Sequence, residues 1–272
     1  MSASTASEST DSSGLVLLSI NEPGGFATVT LNNPGKRNAL SHVMMKALIA
    51  ALHEAGDSSA RGIILAANGP VFSAGHDFAD MAGQDLGYLR KLLQTCTELM
   101  TLVQQVPQPV VAKVHALATA AGCQLVASCD LAVAADTAGF ALPGGRGGLF
   151  CTTPLVAVAR NVGRKRALEL SMTGDPIDAA TAAEWGLINY AVDPAELHTF
   201  TDDFLKRCTR GSAFAKSMGK AAFYAQVDLD QPKAYSYAIE VMAANAVTAD
   251  GQEGIASFLE KRKPNWQTHF PL

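Results

Sequence analysis

Two short stretches bring together residue types able to do chemistry on one small group. They are Ser73-Ala-Gly-His-Asp77 and Ala120-Ala-Gly-Cys-Gln124. Each follows an apolar run of strand length, Gly62 to Ala67 and Val110 to Val114, and each places small residues where a helical pattern begins. Small residues at a strand-to-helix junction let a ligand approach the backbone. The first N–H groups of a helix are unpaired and sit at its positive end. Two such N–H groups from separate junctions can converge on one oxygen, as an oxyanion hole requires. Tight helix–sheet packing selects the same small residues, so both readings stand. His76 adds an imidazole whose ordinary pKa suits proton transfer. Asp77 reads as a cap for the turn Phe78 to Met81.

The surrounding elements follow from periodicity. Leu15 to Ile20 and Phe26 to Leu31 read as a β-hairpin, the second strand placing Ala27, Val29 and Leu31 on one face. Ser41 caps a helix with Val43, Met44, Ala47, Leu48, Ala51 and Leu52 inward. A long amphipathic helix runs from about Tyr88 to Val106 and is stopped by Pro107 and Pro109. Strands are expected at Asp130 to Ala135, Phe140 to Leu142 and Leu187 to Val192. Pro143-Gly-Gly-Arg-Gly-Gly148 reads as a flexible, pocket-lining segment. Helices follow at Thr153 to Asn161, Arg164 to Met172, Asp178 to Trp185 and from Pro194 onward. Asp130 and Asp136 flank a strand as turn or cap residues. This alternation of strands and helices defines an α/β class.

Composition narrows the function classes. A net charge of −4 over 272 residues gives no electrostatic case for nucleic acid or an anionic membrane. No apolar run reaches membrane-spanning length. Residues 1–14 are Ser/Thr-rich without Lys or Arg and read as a disordered tail, neither a secretory signal nor a transit peptide. Five cysteines with no C-x-x-C pair point to reduced thiols, a cytoplasmic location and no metal site. Gly-x-Ser-x-Gly, His-Glu-x-x-His, a Walker loop and a dinucleotide fingerprint are all absent, the last because Phe150 stands where a third Gly is needed.

From Leu15 to Trp266 the chain resembles the enoyl-CoA hydratase/isomerase (crotonase) superfamily. The resemblance rests on Leu31-Asn-Asn-Pro-Gly-Lys-Arg-Asn-Ala-Leu40, Phe72-Ser-Ala-Gly-His-Asp77, Ala120-Ala-Gly-Cys-Gln-Leu125 and Ser128-Cys-Asp130. Phe140-Ala-Leu-Pro143, Thr173-Gly174, Ala180 to Leu187, Asp250-Gly-Gln-Glu-Gly254 and Phe258-Leu-Glu-Lys-Arg262 follow in order. It implies a spiral of β-β-α repeats over residues 15–199 and a helical C-terminal trimerisation region over 200–272. The implied assembly is a homotrimer or a dimer of trimers. The implied ligand is an acyl-coenzyme A thioester, with coenzyme A as part of the substrate and no permanently bound cofactor. Carried over by position, the oxyanion N–H groups are those of His76 and Ala121. Ala39, Ser73, Ala74, His76 and Asp77 line the coenzyme, and Lys36, Arg37 and Lys261 meet its phosphates.

One departure bears on the reaction. The two glutamates that serve the family's hydratases as acid and base correspond to Gln124 and Gly144. Gln124 can hydrogen-bond a water or a carbonyl but cannot exchange a proton near neutral pH, and Gly144 offers only backbone. Cys151, seven positions on, could attack a thioester as a thiolate or simply pack a pocket wall. The expectation is a family member that stabilises a thioester enolate with hydration impaired. The alternatives are an acyl-CoA decarboxylase or thioesterase, or an acyl-CoA-binding protein without turnover.

Overall fold

The computed structural model describes residues 5–10, 14–22 and 24–266. β1 (Thr5–Thr10), β2 (Val16–Glu22) and β3 (Phe26–Leu31) pair antiparallel. β4 (Gly62–Ala67), β5 (Val110–Val114), β7 (Leu131–Ala135) and β10 (Tyr190–Val192) continue the sheet in parallel, in the order β1-β2-β3-β4-β5-β7-β10. A second, smaller sheet joins β6 (Ala118–Thr119), β8 (Gly139–Ala141) and β9 (Ile177–Asp178). Residues 1–14 therefore do not form a disordered tail throughout. Thr5–Thr10 pairs along β2, whose backbone groups would otherwise form an open edge, and Thr is a favourable strand residue.

β4 is an unbroken apolar run because both of its faces are covered. Ile63 and Leu65 face the main core, whereas Ile64 and Ala66 face a second cluster built with Leu197, Phe204 and Leu205. The last three lie on α7 (Leu197–Cys208), so the expected boundary at 199/200 falls inside a helix that packs on the sheet. The main core takes the apolar stripes of α1 (His42–Gly56), α2 (Leu86–Gln105), α3 (Ala121–Ser128) and α4 (Thr152–Val162). α5 (Arg164–Thr173) and α6 (Ala179–Trp185) complete this side. In α1, Met45 takes the buried place expected of Val43, which is exposed on the flank of the stripe.

The unit that recurs along the chain is a long strand, a short strand of the second layer, then a helix. β5, β6 and α3 form one copy, and β7, β8 and α4 form the next. Earlier copies reduce the short strand to single bridges, Leu40 to His76 and Ser73 to Ala118. Successive turns of this spiral stack their strand-to-helix junctions side by side. α8 (Ala213–Gln226), α9 (Gln231–Ala246) and α10 (Ala249–Leu259) follow, and they leave Phe223, Tyr235, Ile239, Met242, Val247, Phe258 and Leu259 exposed. No helix among the described residues is long and apolar enough to cross a membrane.

Candidate active site

Stacking of the turns brings the two small-residue junctions into backbone contact. The Thr119 N–H donates to the Ser73 carbonyl at 3.0 Å, and the Ala120 N–H donates to the Ala141 carbonyl at 2.9 Å. A Cβ on Gly122 would lie 2.5 Å from the Ser73 carbonyl oxygen. Gly75, at φ +86°, would place one 2.8 Å from the Ala120 Cβ and 3.1 Å from the Ala121 nitrogen. Close packing of loop on loop therefore explains both glycines. It also packs the loop that leads into His76 against the start of α3, and His76 and Ala121 both border one cavity. Ala121 is the first residue of α3, so its N–H has no acceptor within the helix. Ala120 precedes it at φ 51°, ψ −120°, a conformation that strains a residue with a side chain. Sequence reasoning had no signal for that strain, because Ala reads as an ordinary small residue.

The cavity has a volume of about 160 Å³. Ala74, His76, Ala121, Gly144 and Cys151, all singled out from the sequence, border it. Its apolar walls, Phe78, Met81, Leu93, Leu149 and Phe150, come from three separate segments and were not foreseen. The His76 ring nitrogen Nδ1 lies 3.4 Å from the Leu40 carbonyl, while Nε2 is buried without a partner among the described residues. Burial pulls the imidazole below its ordinary pKa, against the opposing pull of the Leu40 carbonyl and Asp80.

Other expected site residues stand elsewhere. Ser73 is fully buried, and its hydroxyl donates to the Asn38 carbonyl at 2.8 Å and accepts the Gly75 N–H at 3.3 Å. It braces the loop and does not border the cavity. Ala39, which follows Asn38 in sequence, is buried and likewise does not border the cavity. Asp77 caps the next turn by accepting the Ala79 N–H at 3.0 Å and pairs with Lys36 at 3.6 Å. The Arg37 carbonyl accepts the Ala74 N–H at 3.0 Å, which holds the Lys36–Arg37 loop against the site. The organiser of that loop is Asn38, buried at φ 50°, whose side chain bonds Asn33, Asn68 and Val71. Lys261 is exposed beyond α10 and does not border the cavity.

The two positions that replace carboxylates differ in kind. Gln124 is buried behind the wall, with its Oε1 3.9 Å from the Cys96 thiol, which donates to it. Gly144 is on the wall, in a 3-10 turn spanning Pro143–Gly147. Its carbonyl accepts the Leu149 N–H at 2.9 Å, and its N–H donates to the Cys151 sulfur at 3.3 Å. A Cβ there would lie 2.1 Å from the Leu149 carbonyl oxygen and 2.8 Å from that sulfur. The space for a side chain is thus filled, not vacant. Cys151 is almost fully buried, and burial raises its thiol pKa, so the group is a neutral thiol at neutral pH.

Asp130 is neither a turn nor a cap residue. It accepts from the Val110 N–H at 2.7 Å, from Lys220 at 2.6 Å and from the Tyr224 hydroxyl at 2.8 Å. Lys220 also donates to the carbonyls of Val103 and Gln108 at 2.9 Å. The pair pins α8 against the spiral, and no sequence spacing announces it.

A family model described as enoyl-CoA hydratase/isomerase matches residues 21–269. The chain is 46% identical over 252 residues to the rat (Rattus norvegicus) enoyl-CoA hydratase domain-containing protein 3, mitochondrial, covering 92% of this chain and 84% of that protein. It is similar to the crystal structure of human enoyl coenzyme A hydratase domain-containing protein 3, at 44% identity and TM-score 0.88, over 93% of this chain and all of that one. A Mycobacterium smegmatis structure titled enoyl-CoA hydratase matches at 44% identity and TM-score 0.89, over 93% of this chain and 99% of that one. The names of the animal relatives, all marked mitochondrial, overturn the cytoplasmic expectation. Its basis was the unpaired cysteines, and reduced thiols do not distinguish one reducing compartment from another.

Proposed function

The chain belongs to the enoyl-CoA hydratase/isomerase family, and on that premise we propose that it binds acyl-coenzyme A thioesters and stabilises the thioester enolate at His76 and Ala121. The observation that supports this reading is that His76 and Ala121 border one cavity, at the place where Gly75 packs on Ala120 and on the Ala121 nitrogen. A thioester carbonyl facing both N–H groups becomes more basic as the enolate forms, so these donors bind the enolate better than the ground state. The apolar walls receive the acyl group. Lys36, Arg37 and Lys261 supply charge to the coenzyme phosphates, with Lys36 already shared with Asp77.

Hydration is a weak activity of this site. The acid–base pair it needs is absent at Gln124 and Gly144, and each positioned group contributes about 10²–10⁴-fold. The exposed apolar faces of α8 to α10 serve a homotrimer or a dimer of trimers. Calorimetry with crotonyl-CoA, followed by turnover of a thioester panel, tests the reading. Ala121→Pro removes one N–H at a helix position where Pro is tolerated. It is expected to lower any thioester turnover about 10²–10³-fold. Absence of binding at millimolar thioester, or full turnover in Ala121→Pro, refutes it.

A further inference from the structure

His76 is the one histidine among the described residues that borders the cavity, and the chemistry proposed for its backbone N–H leaves the ring unused. A carbonyl can only accept, so the contact of Nδ1 with the Leu40 carbonyl at 3.4 Å fixes the neutral ring with its hydrogen on Nδ1. Nε2 then carries a bare lone pair. That atom is buried and has no hydrogen-bond partner among the described residues. A buried polar atom left unsatisfied calls for a functional account. The carboxylates at Gln124 and Gly144 are missing, and the space at Gly144 is filled by the Leu149 carbonyl and the Cys151 sulfur. A proton carrier in this cavity therefore has to come from another position.

We propose that the His76 side chain is the acid–base group of this cavity, with Nε2 taking the α-proton of a bound acyl thioester. This rests on the acyl-CoA reading above. In the forward step the α C–H bond breaks and its electron pair moves to the thioester oxygen, giving the enolate held by the His76 and Ala121 N–H groups. The proton forms a bond to Nε2, and the ring becomes an imidazolium. Reversal returns a proton from Nε2 to carbon, after exchange with solvent where the imidazolium lives long enough. No other reactant is consumed. Nε2 has no exposed surface in the free protein, so the step requires the His76 ring to turn its Nε2 toward the cavity when the thioester binds.

The charged and titratable groups around the ring agree with this role. Asp80, which accepts the His42 N–H at 2.7 Å, favours the imidazolium, while burial favours the neutral base and prevails. Asp77 is paired with Lys36, and the Cys151 thiol borders the same cavity.

The test is exchange of the α-hydrogens of butyryl-CoA for deuterium in D₂O, read by mass spectrometry, with binding of the same thioester followed by calorimetry. The unmodified protein is expected to catalyse exchange, with a rate that rises with pH and levels off at an apparent pKa below about 6.5. His76→Asn keeps the backbone N–H and a donor for Leu40, and it is expected to lose exchange about 10²–10⁴-fold while still binding. His76→Gln gives a second variant with the same expectation should the first fold poorly. Exchange that survives in both variants overturns the proposal, as does exchange lost in Cys151→Ala but kept in His76→Asn. So does an unmodified protein that binds butyryl-CoA without exchanging it. A protein that binds no thioester fails the acyl-CoA reading itself, and this proposal falls with it.

Discussion

Gly144→Ala tests whether the site has closed over the place of the missing carboxylate. The added methyl group would sit 2.1 Å from the Leu149 carbonyl oxygen and 2.8 Å from the Cys151 sulfur. The first distance is more than about 1 Å short of ordinary contact. The obstacle is backbone, so the turn itself must move. Movement breaks the 2.9 Å bond from the Leu149 N–H to the Gly144 carbonyl and loosens the 3.3 Å bond from the Gly144 N–H to sulfur. Overpacking costs about 1–3 kcal/mol and a lost hydrogen bond about 0.5–1.5 kcal/mol, so the sum is about 2–4 kcal/mol. At about 2–4 °C per kcal/mol for a chain of this size, the melting temperature should fall by about 5–15 °C. Differential scanning calorimetry measures this directly. Gly144→Glu carries the same collision and should lose stability without gaining hydratase turnover, even when combined with Gln124→Glu. A Gly144→Ala protein melting within about 1 °C of the unmodified one would refute the reasoning.

Two further substitutions probe how the site is held. Ala120→Gly relieves a φ of 51°. Strain of about 1–3 kcal/mol is set against about 0.4–1 kcal/mol of added unfolded-state entropy, so a rise of a few degrees in melting temperature is expected; a fall would show that Ala120 is not strained. Lys220→Met leaves Asp130 buried at one end of an emptied pair. Breaking such a pair costs about 3–5 kcal/mol, readable as a lowered urea midpoint, and an unchanged midpoint would mean that α8 docks by apolar contact alone.

Much of the architecture was legible locally. β3, β4 and β5 were readable from alternation or from unbroken apolar runs, and Ser41 and Asp77 from their capping positions. These signals lie within one element, where periodicity and side-chain chemistry act over a few residues. The two junctions were singled out because small residues where a strand meets a helix are visible in one dimension, and the family resemblance then pointed to His76 and Ala121 within them. Whether those small residues serve packing or a ligand was not legible. Tertiary structure decided the packing role, because Gly75 meets Ala120 and Ala121 across two turns of the spiral, 45 positions or more apart in sequence.

Three things were set only by the assembled fold. Ser73 looked like a ligand contact and is a brace, since its hydroxyl is committed to Asn38 and Gly75. Gly144 looked like a deleted side chain and is a closed turn, because the Leu149 carbonyl folds back onto it. Asp130 looked like a turn residue and anchors α8 through a lysine 90 positions away. In each case the side chain's partner comes from a different element, and burial removes the competing water. The sequence determined which groups were available to the site. The packing of one spiral turn on the next determined which of them were left free to act, because a buried polar group bonds whatever partner the fold brings within reach.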